Sequence, residues 1–288
     1  MASPLSGEKR YQLPNVSAVP QLSPFRYPGG KSRWYELIDC WTDYVSPDRF
    51  IEPFAGGAHA GLAAAIEGWV DEVVLVEKDE DVQAVWETIL NGGADWLISK
   101  IKGLELTREE AKKVVRKAER SDRHRALATI VQNRVSRGGI TAPGAGWLKN
   151  GENKNGTQSR WYPSTLAERI KDINRVRDRI KFIPGDAFDV TPKYQKDKGA
   201  VFFIDPPYPR AGERLYKHSD VDHEEVFRLA REAQGEVLLT YDNSEEVMEL
   251  VRQFRFRSEE VIASTSHHRE KVELLISDDL KWMNNMPQ

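Results

Sequence analysis

The chemistry-bearing residues of this chain sit where apolar runs end. The stretch FFIDPPY carries apolar residues into Asp205, then Pro206, Pro207 and Tyr208. A carboxylate accepts one N–H, and a backbone carbonyl fixed beside proline accepts a second. An aromatic ring offers a face on which a planar base stacks. The tetrapeptide therefore suits the exocyclic amino group of a purine or pyrimidine; the plain alternative is a proline-rich turn.

Three more strand ends carry unusual residues. EPFAGG spans Glu52 to Gly57, and its small residues let backbone approach a ligand before a helix begins. It lacks the spacing of a dinucleotide fingerprint. LVEKD ends a strand at Glu77, where an acid can hold two ribose hydroxyls, and IPGDAF places Asp186 after a tight turn. Taken singly, Glu77 and Asp186 also read as helix caps. Ligands of open α/β sheets bind at the carboxyl ends of strands, so the set has more force than its members.

The elements that must position these residues follow from periodicity. RFIEPFAGGAHAGLAAAIEG and DEVVLVEKDEDVQAVWETIL each read as strand then helix. RIKFIPGD, AVFFID and EVLLTYD read as strands, and FRSEEVIASTS with REKVELLIS as a closing hairpin. Thr107 with Glu110, and Thr165 with Glu168, have capping-box spacing. In HRALATIVQNRV, Leu127, Ile130 and Val131 share one helical face. The alternation predicts an α/β sheet with helices on both faces.

Between Asn91 and Thr165 stand 15 Lys and Arg against 7 Asp and Glu, so the rest of the chain carries −11. That basic segment interrupts the alternation and predicts an insertion, residues 91–165, mainly helical with a Gly- and Asn-rich hairpin. A polyanion partner suits its charge, as do two solvated helices. The catalytic part is expected over 24–90 and 166–288, with 1–23 a loose arm.

No apolar run approaches the roughly 20 residues that span a bilayer. One cysteine, Cys40, permits no internal disulfide and fits a reducing, cytoplasmic setting. Cys40 stands among apolar neighbours and is expected to fill core. The six histidines show no ligand spacing, so no metal is expected; His267 and His268 read as a solvated or DNA-facing loop.

In combination these blocks resemble the Dam-like, D12 class DNA adenine-N6 methyltransferases. FRYPGGK (Phe25 to Lys31), FIEPFAGGAHAG, LVEKD, IPGD, DPPY and EKVELLI fall in the family's order, from about residue 24 to 277. The resemblance implies a Rossmann-like class I methyltransferase sheet, S-adenosylmethionine as methyl donor and double-stranded DNA as substrate. It implies a cofactor site of Tyr27, Gly30, Lys31, Glu52, Phe54, Ala55, Gly56, Glu77, Asp186, Ala187, Phe188 and Asp205. Asp205, Pro206, Pro207 and Tyr208 would grip a flipped adenine. The insertion would be the target-recognition domain, with Asn133, Arg134, Arg137, Lys149, Lys154 and Arg160 facing DNA. Trp147 and Trp161 either pack the hairpin or touch bases.

Other acceptors remain open at this stage: cytosine N4, an RNA adenine or a protein glutamine. A non-catalytic DNA-binding module and a dinucleotide-dependent oxidoreductase fit less well, the first because Asp205, Glu77 and the glycines are intact. A monomer is expected. The target sequence and any partner restriction endonuclease stay open.

Overall fold

Strand residues alternate between two apolar layers, and that alternation sets the architecture. The computed structural model describes residues 11–26, 29–140, 146–149, 156–209, 217–218, 220–264 and 270–286. In β3 (Glu72–Glu77), Val73 and Leu75 enter one core while Val74 and Val76 enter another. β2 (Arg49–Glu52) and β5 (Ala200–Ile204) divide the same way, Phe50, Val201 and Phe203 on one face, Ile51, Phe202 and Ile204 on the other. A strand apolar on both faces must be covered on both faces, as in parallel sheets.

The remaining strands are β1 (Tyr11–Gln12), β4 (Ile180–Pro184), β6 (Glu236–Asp242), β7 (Arg257–Ser264) and β8 (Glu270–Ser277). The sheet order is β1-β7-β8-β6-β5-β2-β3-β4. β4, β3, β2, β5 and β6 run parallel, and β8 lies antiparallel between β6 and β7. From β2 the chain moves outward to β3 and β4, and from β5 it moves the other way to β6. The topological switch point therefore lies between the carboxyl ends of β2 and β5, where such sheets hold ligands.

Among the described residues seven helices cover the first layer: α1 (Tyr35–Val45), α2 (His59–Glu67), α3 (Glu80–Thr88), α4 (Ala94–Lys102), α5 (Arg108–Val115), α6 (Asp122–Val135) and α7 (Pro163–Arg175). The short α8 (Ala187–Val190), with α9 (His223–Glu232) and α10 (Glu245–Gln253), covers the second. No helix among the described residues is long and apolar enough to cross a membrane.

Three expectations change. The segment read as a loose arm is packed from residue 11 onward: β1 pairs with β7, Leu13 and Ser23 are buried, and Arg33 donates to the carbonyls of Leu13 and Pro14. The basic insertion has no separate core. Leu97, Ile101, Leu127, Ile130 and Val131 pack in the same cluster as Trp86 and Leu75. Asn91 and Gly92 leave helical geometry and so kink the chain between α3 and α4. Finally, α7 starts two residues before Thr165. Pro163 occupies its first turn with the fixed φ that helix starts favour, so no Thr165 cap forms. Thr107 does cap α5, accepting from the Glu110 N–H at 3.1 Å.

Candidate active site

The loop leaving β2 is shaped by backbone before any ligand is considered. Gly56 and Ala58 adopt left-handed φ values of 47° and 50°. The Ala55 N–H bonds to the Val76 carbonyl at 2.9 Å, which ties the loop to the end of β3. Glu52 is buried beneath it and accepts from the Gly61 N–H at 2.8 Å. A Cβ on Gly61 would stand 2.8 Å from that carboxylate oxygen and 2.6 Å from Leu75, so the close approach requires glycine. Burial pushes the Glu52 carboxyl well above its ordinary pKa, and neighbouring Asp205 and Glu77 add to the effect.

Glu77 braces the same loop from β3. One carboxylate oxygen accepts from Gly56 N–H at 2.7 Å, the other from Lys78 and Asp79 at 2.8 and 2.7 Å. Burial nevertheless lifts its pKa to about 7. Trp86 completes the brace by donating its indole N–H to the Gly56 carbonyl at 3.0 Å.

Asp186 caps α8 through the Phe188 N–H at 3.0 Å and pairs with Lys78 at 2.7 Å. Burial opposes its ionisation, but these two partners outweigh burial and hold its pKa below the usual value. Phe188 and Phe54 meet edge to face, 6.0 Å between ring centres. Ala187 is buried beside them.

Asp205 follows β5 at the switch point. Its Oδ1 accepts from the Thr240 hydroxyl at 2.6 Å and meets Lys31 Nζ at 2.9 Å. Its Oδ2 has no protein partner among the described residues. Burial raises the Asp205 pKa, while Lys31 and Thr240 pull it back part of the way. Lys31 is itself buried, and also donates to the Tyr208 hydroxyl at 2.8 Å and to Glu273 Oε2 at 3.3 Å. Glu273, buried on β8, takes a second cation at 2.5 Å from Lys271. Burial opposes its ionisation as well, but Lys31 and Lys271 leave its pKa below the ordinary value.

Gly30, Lys31, Glu52, Phe54, Ala55, Gly56, Glu77, Asp186, Ala187, Phe188, Asp205 and Pro207 line one cleft. Tyr27 lies outside the described residues, as do Lys154, His267 and His268. Pro206 is buried. Tyr208 departs from the expectation of a displayed ring: it is 8% exposed and stacks on Tyr241 at 5.8 Å. The ring therefore packs into the second apolar layer beside Tyr241 of β6. Glu273 was missed because its place depends on strand register: β8 sets it opposite Asp242 of β6. The available signal was an acid within the apolar run KVELLIS.

The insertion residues divide. Arg137 and Lys149 are exposed, and Arg160 is half-buried. Asn133 and Arg134 are buried and correct the expectation of DNA-facing side chains. The Asn133 amide accepts from the Arg26 N–H at 2.8 Å and donates at 2.9 Å to the carbonyls of Arg26 and Gly139. Arg134 donates to the Pro24 carbonyl. Both therefore clamp the segment that leads to Gly29 and Lys31. Trp161 is buried, its N–H on the Leu104 carbonyl at 3.1 Å, and Trp147 is half-buried beneath the Arg108 guanidinium. Gly139 has φ +79°, and a Cβ there would stand 2.0 Å from the Arg26 carbonyl oxygen. Gly139→Ala is expected to cost about 3 kcal/mol or more, combining left-handed strain with a steric clash. Urea denaturation measures that cost, and a change under 1 kcal/mol, on the order of an ordinary surface substitution, would dismiss the clamp.

A parallel sheet closed by an antiparallel β8 defines the class. With a small-residue loop after its first core strand and an acid ending the next, it is the Rossmann-like class I methyltransferase fold. The chain belongs to the D12 class N6 adenine-specific DNA methyltransferase family, whose model matches residues 27–265. It is thus a methyltransferase of a kind that uses S-adenosylmethionine. No curated protein matches the sequence. Among solved structures it is similar to PH1948 of Pyrococcus horikoshii, with 11% identity over 93% of this chain and 90% of that one, TM-score 0.41. The O-methyltransferase TomG of Streptomyces achromogenes shares 12% identity over 85% and 79% of the two chains, TM-score 0.39.

The cleft fits that cofactor on its donor set. Glu52 feels the charges of Asp205 and Glu77 with Lys31 opposing them, and the acids Glu52, Glu77, Asp79, Asp186, Asp205 and Asp220 outnumber Lys31, Lys78 and Lys217 along the cleft, a surplus of carboxyl groups that suits a cationic sulfonium. The left-handed loop at Gly56 and Ala58 keeps bulky side chains out of the approach.

Proposed function

We propose that the protein methylates the N6 amino group of an adenine flipped out of duplex DNA. One observation carries the reading: Asp205 is anchored through Oδ1 by Thr240 and Lys31, which leaves Oδ2 to accept an N–H from the target base. S-adenosylmethionine, when bound, supplies an electrophilic methyl group. Gly30, Lys31 and the loop Phe54 to Gly56 would hold its methionine end, Glu77 its ribose, and Asp186 with Phe188 its adenine.

The adenine amino nitrogen is a weak nucleophile because its lone pair is delocalised into the ring. Asp205 Oδ2 accepts one amino proton, and the backbone beside Pro206 accepts the other. Together they draw the nitrogen toward a tetrahedral, more nucleophilic form. Positioning and electrostatics supply most of the acceleration. Asp205 need not be a strong base, because the proton departs after methyl transfer, when the nitrogen is cationic. Pro206 and Pro207 keep this backbone rigid. Arg137 and Lys149, both exposed, meet DNA phosphates.

The test incubates the protein with unmodified duplex DNA and labelled S-adenosylmethionine, then identifies the methylated nucleoside by mass spectrometry. N6-methyladenine supports the reading. N4-methylcytosine overturns the base assignment, and label on RNA or protein alone overturns the DNA assignment.

A pH dependence follows from Glu77. Its pKa near 7 is raised by burial, so its ionised form grows as pH rises through neutrality. Only that form accepts both ribose hydroxyl protons. Cofactor affinity is expected to strengthen severalfold from mildly acidic to mildly alkaline pH and to become flat in Glu77→Gln. Isothermal titration across that range decides it; a flat wild-type profile removes Glu77 from the ribose.

A further inference from the structure

A second cavity adjoins the cofactor cleft and shares Gly29, Gly30 and His59 with it. Arg26, Arg134 and Arg169 line it, and among the described residues no carboxylate does. Its mouth is exposed at Tyr162 and Thr165. Arg134 is 4% exposed, and its Nε–H has no partner among the described residues. Arg169 donates through one nitrogen to the Ser23 carbonyl at 3.1 Å.

The electrostatics are one-sided. Burial and the positive charges of Arg169 and Arg26 depress the Arg134 pKa to about 9. Burial and Arg26 likewise lower that of Arg169. Burial, with Arg169, brings His59 to about 4, so the imidazole is neutral at physiological pH and adds no charge. A buried cation is ordinarily paired with an acid; the groups perturbing Arg134 and Arg169 are only other cations.

We infer that this cavity takes a backbone phosphate of the DNA substrate. The inference rests on the DNA reading above. A phosphodiester brings the missing negative charge and two acceptor oxygens, which suit guanidinium donors. The Thr165 hydroxyl at the mouth adds a neutral donor. The site has a mechanical consequence: Arg134 also holds the Pro24 carbonyl, so phosphate binding bears on the segment leading to Gly30 and Lys31. DNA engagement and the cofactor loop would then share one side chain.

The test measures binding of a fluorescent duplex by anisotropy over a sodium chloride series, with S-adenosylmethionine affinity measured in parallel by calorimetry. Each phosphate contact contributes about 0.9 to the slope of log K against log salt, so Arg169→Gln is expected to reduce the slope by about one. Binding at 0.1 M salt should weaken by roughly tenfold. Arg169→Lys should retain the slope. Thr165→Glu puts an acid at the exposed mouth, in the first turn of α7 where acids are tolerated, and should weaken DNA binding even if Arg169→Gln fails to fold.

Wild-type slopes in both Arg169→Gln and Thr165→Glu overturn the inference while leaving the DNA reading intact. Loss of cofactor affinity with an unchanged DNA slope also overturns it, because the cavity would then serve the cofactor carboxylate. A wild-type protein that binds no DNA removes both readings together.

Discussion

Asp205→Asn is expected to reduce kcat by about 10²–10³-fold, the range seen when one preorganised polar contact to a transition state is lost. The substitution keeps size and shape, so its effect isolates the acceptor. Thr240 and Lys31 both donate to Oδ1, which forces the asparagine carbonyl to that side. Its NH₂ then occupies the Oδ2 position and sets a donor against the amino group of the base. The reverse rotamer would turn NH₂ against the Lys31 ammonium. Cofactor affinity should change far less than turnover, because Glu77, Asp186 and the Gly56 loop are untouched. Single-turnover methylation with labelled donor measures the step. Retained turnover would remove Asp205 from the catalytic role.

The parts legible in the sequence were those encoded locally. Asp205 and Glu77 could be found because each directly follows or ends an apolar strand, and strands of a parallel sheet deliver their carboxyl ends to one crevice. The small-residue loop after Glu52 was legible for the same reason. Residues that act through distant pairing were not. Glu273 reaches Lys31 across 242 positions, through a β8 register that no local pattern specifies. Charge counting marked the basic segment but could not tell solvent-facing arginines from buried ones. Arg137 faces water, whereas Arg134, three residues earlier, lies on the packed side of α6 and holds backbone. The two-residue β1 escaped because backbone pairing along an edge leaves almost no compositional trace. The burial of Tyr208 is not legible locally, because the ring it packs on, Tyr241, lies on β6 more than thirty residues further along the chain.

Lys31→Met is expected to destabilise the protein by about 3–5 kcal/mol, the range for breaking a buried ion pair from one side. Lys31 separates two carboxylates, the half-buried Asp205 at 2.9 Å and the buried Glu273 at 3.3 Å. Without it Glu273 retains Lys271, but among the described residues Asp205 keeps only the Thr240 hydroxyl. Burial already raises the Asp205 pKa, and Lys31 is the largest influence lowering it. Removing Lys31 raises that pKa further. A carboxyl whose folded-state pKa exceeds its unfolded value contributes stability at low pH and loses it as pH rises through the folded value. The gap between Lys31→Met and wild type should therefore be widest at alkaline pH and narrow as the solution is acidified. Adding Glu273→Gln to Lys31→Met should recover part of the loss, since one of the two facing charges disappears. Denaturant titration of the single and double variants at alkaline and mildly acidic pH tests both statements. A pH-independent loss with no recovery in the double variant would mean that Lys31 matters through packing alone. A charge-dependent loss would mean that one lysine neutralises Asp205, anchors Tyr208 and supports the cofactor loop, so that fold stability and the geometry of the acceptor cannot be varied separately at this position.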